Sequence, residues 1–237
     1  MEPSESDTSR PVASPLFTAA LLLVLAAFAA WGTFQAEHMR NLEHPNRILH
    51  YTLTVGFEWF LFASVVLAVR QRGHSLEAIF GERWRSGRQL LHDIGIAAAF
   101  WLVSLMLLAA IAFLLGITRI DRSTRFMIPQ GPLELVLFLA LSVSAGICEE
   151  TVFRGLLQRQ FTAWLKSAPA GIVISAVIFG ACHAYQGWRR ALLIGLYGSM
   201  FGMLAHWRRN LRPGMMAHAW QDSFSGIVGA LIRRSLG

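Results

Sequence analysis

Apolar runs long enough to cross a bilayer alternate with short polar stretches along the chain. Crossing the hydrocarbon core takes about 20 predominantly apolar residues. Leu16 to Phe34 meets that requirement and predicts a first span, followed by a polar loop from Gln35 to Asn46. A second span is predicted from Ile48 to Val69, interrupted by Glu58 between Phe57, Trp59 and Phe60. Arg70 to Gln89 is polar and rich in arginine, and its Ser75–Phe80 stretch reads as a short interfacial helix. A third span is predicted from Ile94 to Ile117.

Beyond the polar stretch Thr118–Gln130 the pattern changes. Leu133–Ile147 is apolar but runs without a break signal into Cys148, Glu149 and Glu150, and on to Arg154. Ala170–Ala184 follows a Ser-Ala-Pro turn and ends in Cys182 and His183, and Ala191–Trp207 carries His206. The last run follows Pro213-Gly214 and continues through His218 and Asp222 to Ile232, with Pro213 placed as a first-turn helical proline. The fold class predicted is all-α, a polytopic membrane bundle of about seven transmembrane helices. It is organised as a polar tail over 1–14, three anchor helices with an arginine-rich loop over 15–130, and a second helical domain over 131–237. No internal repeat is visible.

Composition supports the membrane reading. Apolar residues make up 54% and charged residues 15%, against about 25% charged in a soluble domain. The net charge of +7 comes almost wholly from arginine, since Lys166 is the only lysine. Loop arginines facing lipid headgroups account for that excess, and no aromatic-basic stripe points to nucleic acid. Arginine and lysine lie slightly in favour of an N-terminus on the inner side. The first residues lack the basic region of a signal peptide, so the first span reads as retained. Cys148 and Cys182 sit in apolar runs and give no disulfide framework. An arginine- and alanine-rich chain of this kind suits a multi-pass protein of a bacterial plasma membrane.

The spans of the second half carry the chemistry. A charge at a helix centre costs about 2.5–3.5 kcal/mol on insertion scales, so intramembrane ionisable groups mark function by default. Glu149, Glu150, Arg154, His183, His218 and Asp222 lie within or at the ends of these runs. Neighbouring Glu149 and Glu150 point about 100° apart on a helix and so are expected to do different jobs. Glu150 and Arg154 are four residues apart, in salt-bridge range, which leaves Glu149 free to face the interior. His218 and Asp222 share the same spacing, with Asp222 expected either to fix the tautomer of His218 or to bind water. A glutamate in an apolar pocket suits a general base, and histidines can orient water or meet a developing oxyanion. Glutamate, histidine and aspartate are equally the ligand types of a catalytic zinc site. Spacing leaves both open.

Glu149-Glu150-Thr-Val-Phe-Arg154, Phe179-Gly-Ala-Cys-His183 and His218-Ala-Trp-Gln-Asp222 resemble the three-motif signature EExxxR, FxxxH and HxxxN/D. That signature marks the CAAX-protease and bacteriocin-processing family of intramembrane proteases (CPBP, also called Abi). Its members include the type II CAAX prenyl endopeptidase, which removes the last residues after a prenylated cysteine. The resemblance spans about Leu133 to Ile232 and implies an intramembrane catalytic cavity and endopeptidase activity on a membrane-associated protein or peptide. By motif position Glu149, His183, His218 and Asp222 would be catalytic, with Glu150, Arg154 and Phe179 in support. The cofactor stays open between none beyond water and a zinc ion held by Glu149, His183, His218 and Asp222.

Ser199 with His206 lacks the setting of a serine protease dyad, and the neighbours Cys182 and His183 diverge on a helix. His206 and Glu58 match no motif and read as packing or interfacial groups. A non-catalytic immunity or peptide-binding protein would use the same cavity without chemistry. A proton-coupled transporter would more naturally show paired repeats.

Overall fold

The structure, a computed structural model, describes residues 10–42, 44–117 and 126–236. The start of the polar tail and most of the stretch Thr118–Gln130 lie outside those residues. The described chain forms α1 (Pro15–Asn41), α2 (Arg47–Gln71), the short α3 (Leu76–Phe80), α4 (Gly87–Leu114) and α5 (Pro132–Glu150). After these come α6 (Arg159–Leu165), α7 (Ala168–Cys182), α8 (Trp188–Arg208) and α9 (Arg212–Leu236). A π-helical stretch, Thr151–Gln158, joins α5 to α6, so that Pro132–Leu165 is one rod.

Helix starts follow the polar residues that flank the apolar runs. Ser14, Asn46, Ser75 and Ser86 each accept a backbone N–H of the first turn they precede, which satisfies a donor the helix cannot. The Ser-Ala-Pro segment expected to be a turn is the beginning of α7. Ser167 accepts the Ala170 N–H, and the proline falls in the first turn, where its missing N–H costs nothing. Within the stretch read as a tail, Val12 and Ala13 are buried. The Gln160 side-chain amide donates to the Ala13 carbonyl at 3.1 Å and accepts the Ala13 N–H at 3.0 Å.

Among the described residues four helices are long and apolar enough to span a membrane: α1, α2, α4 and the rod Pro132–Leu165. Of the three other segments read as spans, α7 is apolar but shorter, and α8 and α9 are diluted by arginine, histidine and glycine. Leu23, Phe34, Leu53, Phe60, Met106 and Phe113 are exposed on the spanning helices, as lipid contact requires. The protein is an all-helical integral membrane protein.

The site is positioned by the rod. Its α5 part packs on α9 and on α2, while α7 packs on α8 and against the π-helical stretch. At Gly146 a Cβ would lie 2.6 Å from the Met215 carbonyl oxygen and 2.9 Å from the Ala219 nitrogen, so only glycine lets α5 and α9 come this close. Gly95 has open space around it. Gly146→Ala is therefore expected to lower the thermal midpoint in detergent, by the equivalent of about 1–3 kcal/mol of overpacking. Gly95→Ala leaves it unchanged or raises it, because alanine is the better helix former. Equal midpoints for the two variants would remove the close-approach argument.

Candidate active site

The π-helical stretch begins immediately after Glu149 and Glu150. π-turns are rare, interrupt the ordinary ladder and occur often at functional sites. Here a neighbouring helix supplies an added donor, since the Ser175 hydroxyl on α7 donates to the Phe153 carbonyl at 2.7 Å. Arg154 lies in this stretch with its side chain 1% exposed, as is that of Glu150. Its Nη1 donates to Glu150 Oε1 at 2.9 Å, and its Nη2 donates to the Gly198 carbonyl of α8 at 2.9 Å. The guanidinium carbon also sits 4.5 Å from the Phe179 ring centroid and 5.2 Å from that of Phe201. One turn on, Gln158 repeats the pattern by donating to the Gly202 carbonyl at 2.9 Å. A Cβ on Gly198 would lie 2.9 Å from Phe179 Cδ1 and 3.1 Å from Arg154 Nη2, so this glycine makes room for the guanidinium.

His218 of α9 completes the arrangement. Its Nδ1 donates to the same Glu150 Oε1 at 3.0 Å. On its other side Nε2 lies 3.7 Å from Glu149 Oε2 and 3.6 Å from Asp222 Oδ2. The two adjacent glutamates therefore do not part company, as an isolated helix suggested. Both reach His218, one at each nitrogen, because the imidazole sits across the end of α5. The expected link from Asp222 to the tautomer of His218 also changes, since Glu150 takes Nδ1 and Asp222 faces Nε2. Phe201 stacks on the imidazole at 5.2 Å and 26°.

The phenylalanine four residues before His183 has two contacts that account for its place. Its ring, edge-on to His218 at 6.1 Å, lies against Arg154. Its backbone carbonyl accepts His183 Nδ1 at 2.8 Å. A carbonyl only accepts, so Nδ1 carries the hydrogen and Nε2 is left with its lone pair. His183 caps the end of α7 and lies within electrostatic reach of Asp222.

Exposure divides these groups. Glu150, Arg154, Phe179 and His218 are buried, whereas the Glu149 and Asp222 side chains are 22% and 39% exposed. His183 is half-buried. Glu149 Oε2 is itself shielded and has no hydrogen-bond partner. A buried charged layer thus lies behind a more open one. The donor types suit zinc, but among the described residues no three histidine, cysteine or carboxylate side chains converge as a metal centre requires.

The remaining sequence candidates stand outside the hydrogen bonds of this layer, although Arg154 also lines the cavity that His206 borders. His206 is exposed and lines a cavity of about 880 Å³ on the arginine-rich face, with His92, Arg208 and Arg209. Ser199 donates to the Leu196 carbonyl at 2.7 Å. Cys148 and Cys182 are free and buried. Sequence reasoning missed Phe201 and the Gly198 carbonyl. The only trace of either is the glycine spacing of α8, which resembles ordinary small-residue packing.

Residues 131–224 match the family described as Type II CAAX prenyl endopeptidase Rce1-like. The Rce1-like segment runs from the start of α5 into α9 and holds all three motifs, with α1 to α4 outside it. The match supports a CAAX-protease-type intramembrane endopeptidase, a hydrolase acting within the membrane. No curated protein and no solved structure matches the chain significantly.

In the Rce1-like segment the Glu150–Arg154 pair carries a testable energy. Removing one partner of a buried pair leaves an uncompensated charge and costs about 3–5 kcal/mol. Arg154→Met is expected to lower the thermal midpoint sharply. Arg154→Lys recovers only part, because an ammonium is a compact charge without the planar fork that reaches both Glu150 and the Gly198 carbonyl. Full stability in Arg154→Met would show that the pair holds nothing together.

Proposed function

We propose that this protein is an intramembrane endopeptidase that hydrolyses a peptide bond of a membrane-associated protein or peptide, with Glu149 as general base. The observation that carries the reading is the unpartnered Oε2 of Glu149, 3.7 Å from His218 Nε2, in front of a second glutamate already held by Arg154. Two adjacent carboxylates in one apolar site are thereby given different work. Glu150 is held by two hydrogen bonds, and Glu149 is left to accept a proton.

The chemistry follows from these atoms. Glu149 takes one proton from water as the water oxygen bonds to the substrate carbonyl carbon. His183 Nε2, an acceptor, orients the second hydrogen of that water. His218 Nε2 faces carboxylate oxygens and supplies a hydrogen bond to the oxyanion. Asp222 Oδ2 holds His218 from the following turn. Collapse of the tetrahedral carbon breaks the C–N bond, and Glu149 returns its proton to the leaving nitrogen, giving a carboxylic acid and an amine. Phe179 fixes Nδ1 of His183 and packs on Arg154. No step requires a metal; a zinc ion, if bound by Glu149, His183, His218 and Asp222, would polarise water or the carbonyl. The substrate reaches the site from the bilayer, so membrane lipid is the other partner. We place the protein in a bacterial plasma membrane.

General acid–base groups contribute about 10²–10⁴-fold. Glu149→Gln, which keeps size and removes the base, is expected to cut the hydrolysis of a fluorogenic peptide panel by at least about 10²-fold, at an unchanged thermal midpoint. Wild-type turnover in that variant would overturn the reading. Chelator treatment of the purified protein, with metal content measured alongside, is expected to leave turnover intact; loss restored by added zinc would replace the metal-free version.

A further inference from the structure

Three carboxylates are buried among the described residues: Glu58, Asp93 and Glu150. Asp93 accepts from Trp84 Nε1, Asn210 Nδ2 and Arg208 Nη2. Glu150 accepts from Arg154 and His218. Glu58, in the middle of α2, has a shielded Oε2 with no hydrogen-bond partner. It lies outside the Rce1-like segment. An acid at this depth of a spanning helix is expensive and persists where it lines a polar cavity or acts in chemistry.

Its surroundings point to the same place. The Glu58 side chain lies beside Ser144, one turn before Cys148 on α5, the helix that α2 packs against. The titratable groups within its electrostatic reach are Glu149 and Cys148 on α5, His218 and Asp222 on α9, and Tyr185 in the segment after His183. One of these acids, Glu149, also has an Oε2 that is shielded and unpartnered. Two helices thus bring two acceptor oxygens, neither with a donor, into one polar neighbourhood.

We propose that Glu58 is a further catalytic residue, whose Oε2 accepts a hydrogen bond from the water that Glu149 activates. The inference rests on the reading of Glu149 as base. Water offers two hydrogens. Glu149 removes one as the oxygen attacks, and the other, shared between His183 Nε2 and Glu58 Oε2, keeps the lone pair turned to the carbonyl carbon. Glu58 neither gains nor loses a proton in the cycle. A positional error of about 1 Å at such a group costs on the order of 10²-fold in rate.

Kinetics of the purified full chain on the peptide panel, with thermal midpoints measured alongside, test this. Glu58→Leu, which has no acceptor, is expected to lose about 10²-fold in kcat with KM within about twofold. Glu58→Gln keeps an acceptor oxygen and loses about tenfold. Ser144→Ala, which removes only the packing partner, stays within about twofold. Wild-type kcat in Glu58→Gln and Glu58→Leu would overturn the inference, as would a loss in Ser144→Ala equal to that in Glu58→Leu. If Glu58→Leu does not fold, Glu58→Gln decides, and a kcat within about twofold of wild type overturns. Glu149→Gln in the same assay separates the two claims. An inactive Glu149→Gln beside fully active Glu58 variants sinks only the role of Glu58, whereas an active Glu149→Gln removes the peptidase reading beneath it.

Discussion

Glu150 and Arg154 lie 2.9 Å apart with almost no contact with water, so each is a full charge kept in an apolar interior by the other. Burial of such a pair is tolerated only where the remaining hydrogen-bonding capacity is also met. The rest of the bundle is arranged to meet it. Gly198 offers a carbonyl, Phe179 and Phe201 offer ring faces, and His218 donates to the same oxygen that Arg154 holds. Because α8 contributes Gly198 and Phe201 and α9 contributes His218, the pair fixes both helices relative to the π-helical stretch.

That constraint is what separates two chemically identical neighbours. Glu149 and Glu150 have the same side chain and adjacent places on one helix, yet Glu150 accepts two hydrogen bonds at Oε1 and Glu149 presents an Oε2 without a hydrogen-bond partner. The difference comes from the facing helices. His218 stands between the glutamates, and its two nitrogens distinguish them. The N-terminal helices also take part beyond anchoring. α2 packs on α5 and brings Glu58 into the neighbourhood of the same cluster.

Much of this was legible along the chain. Apolar run lengths placed α1 to α4 in order, though α1 continues past the expected Phe34 to Asn41 and α4 begins at Gly87 rather than Ile94, because polar residues at a span's end extend a helix without extending its apolar run. The i,i+4 spacing of Glu150 and Arg154 gave their contact, and the same spacing gave the approach of His218 to Asp222. The Ser-Ala-Pro segment was misread because proline ends one helix and begins the next with equal ease. Among the described residues four of the seven segments read as spans stand out by length and apolarity, because hydropathy falls as functional side chains and glycines accumulate along α8 and α9.

The sequence by itself determined that the protein is helical, that it lives in a membrane, and which ionisable residues bear the cost of being there. Those properties depend on composition and on neighbours within one or two turns. Only the tertiary structure decided which glutamate is held and which is open, that Glu150 faces Nδ1 of His218, and that Glu58 joins the cluster. Each of these depends on where one helix meets another, and helix crossings are set by packing at residues such as Gly146 and Gly198 against partners far along the chain.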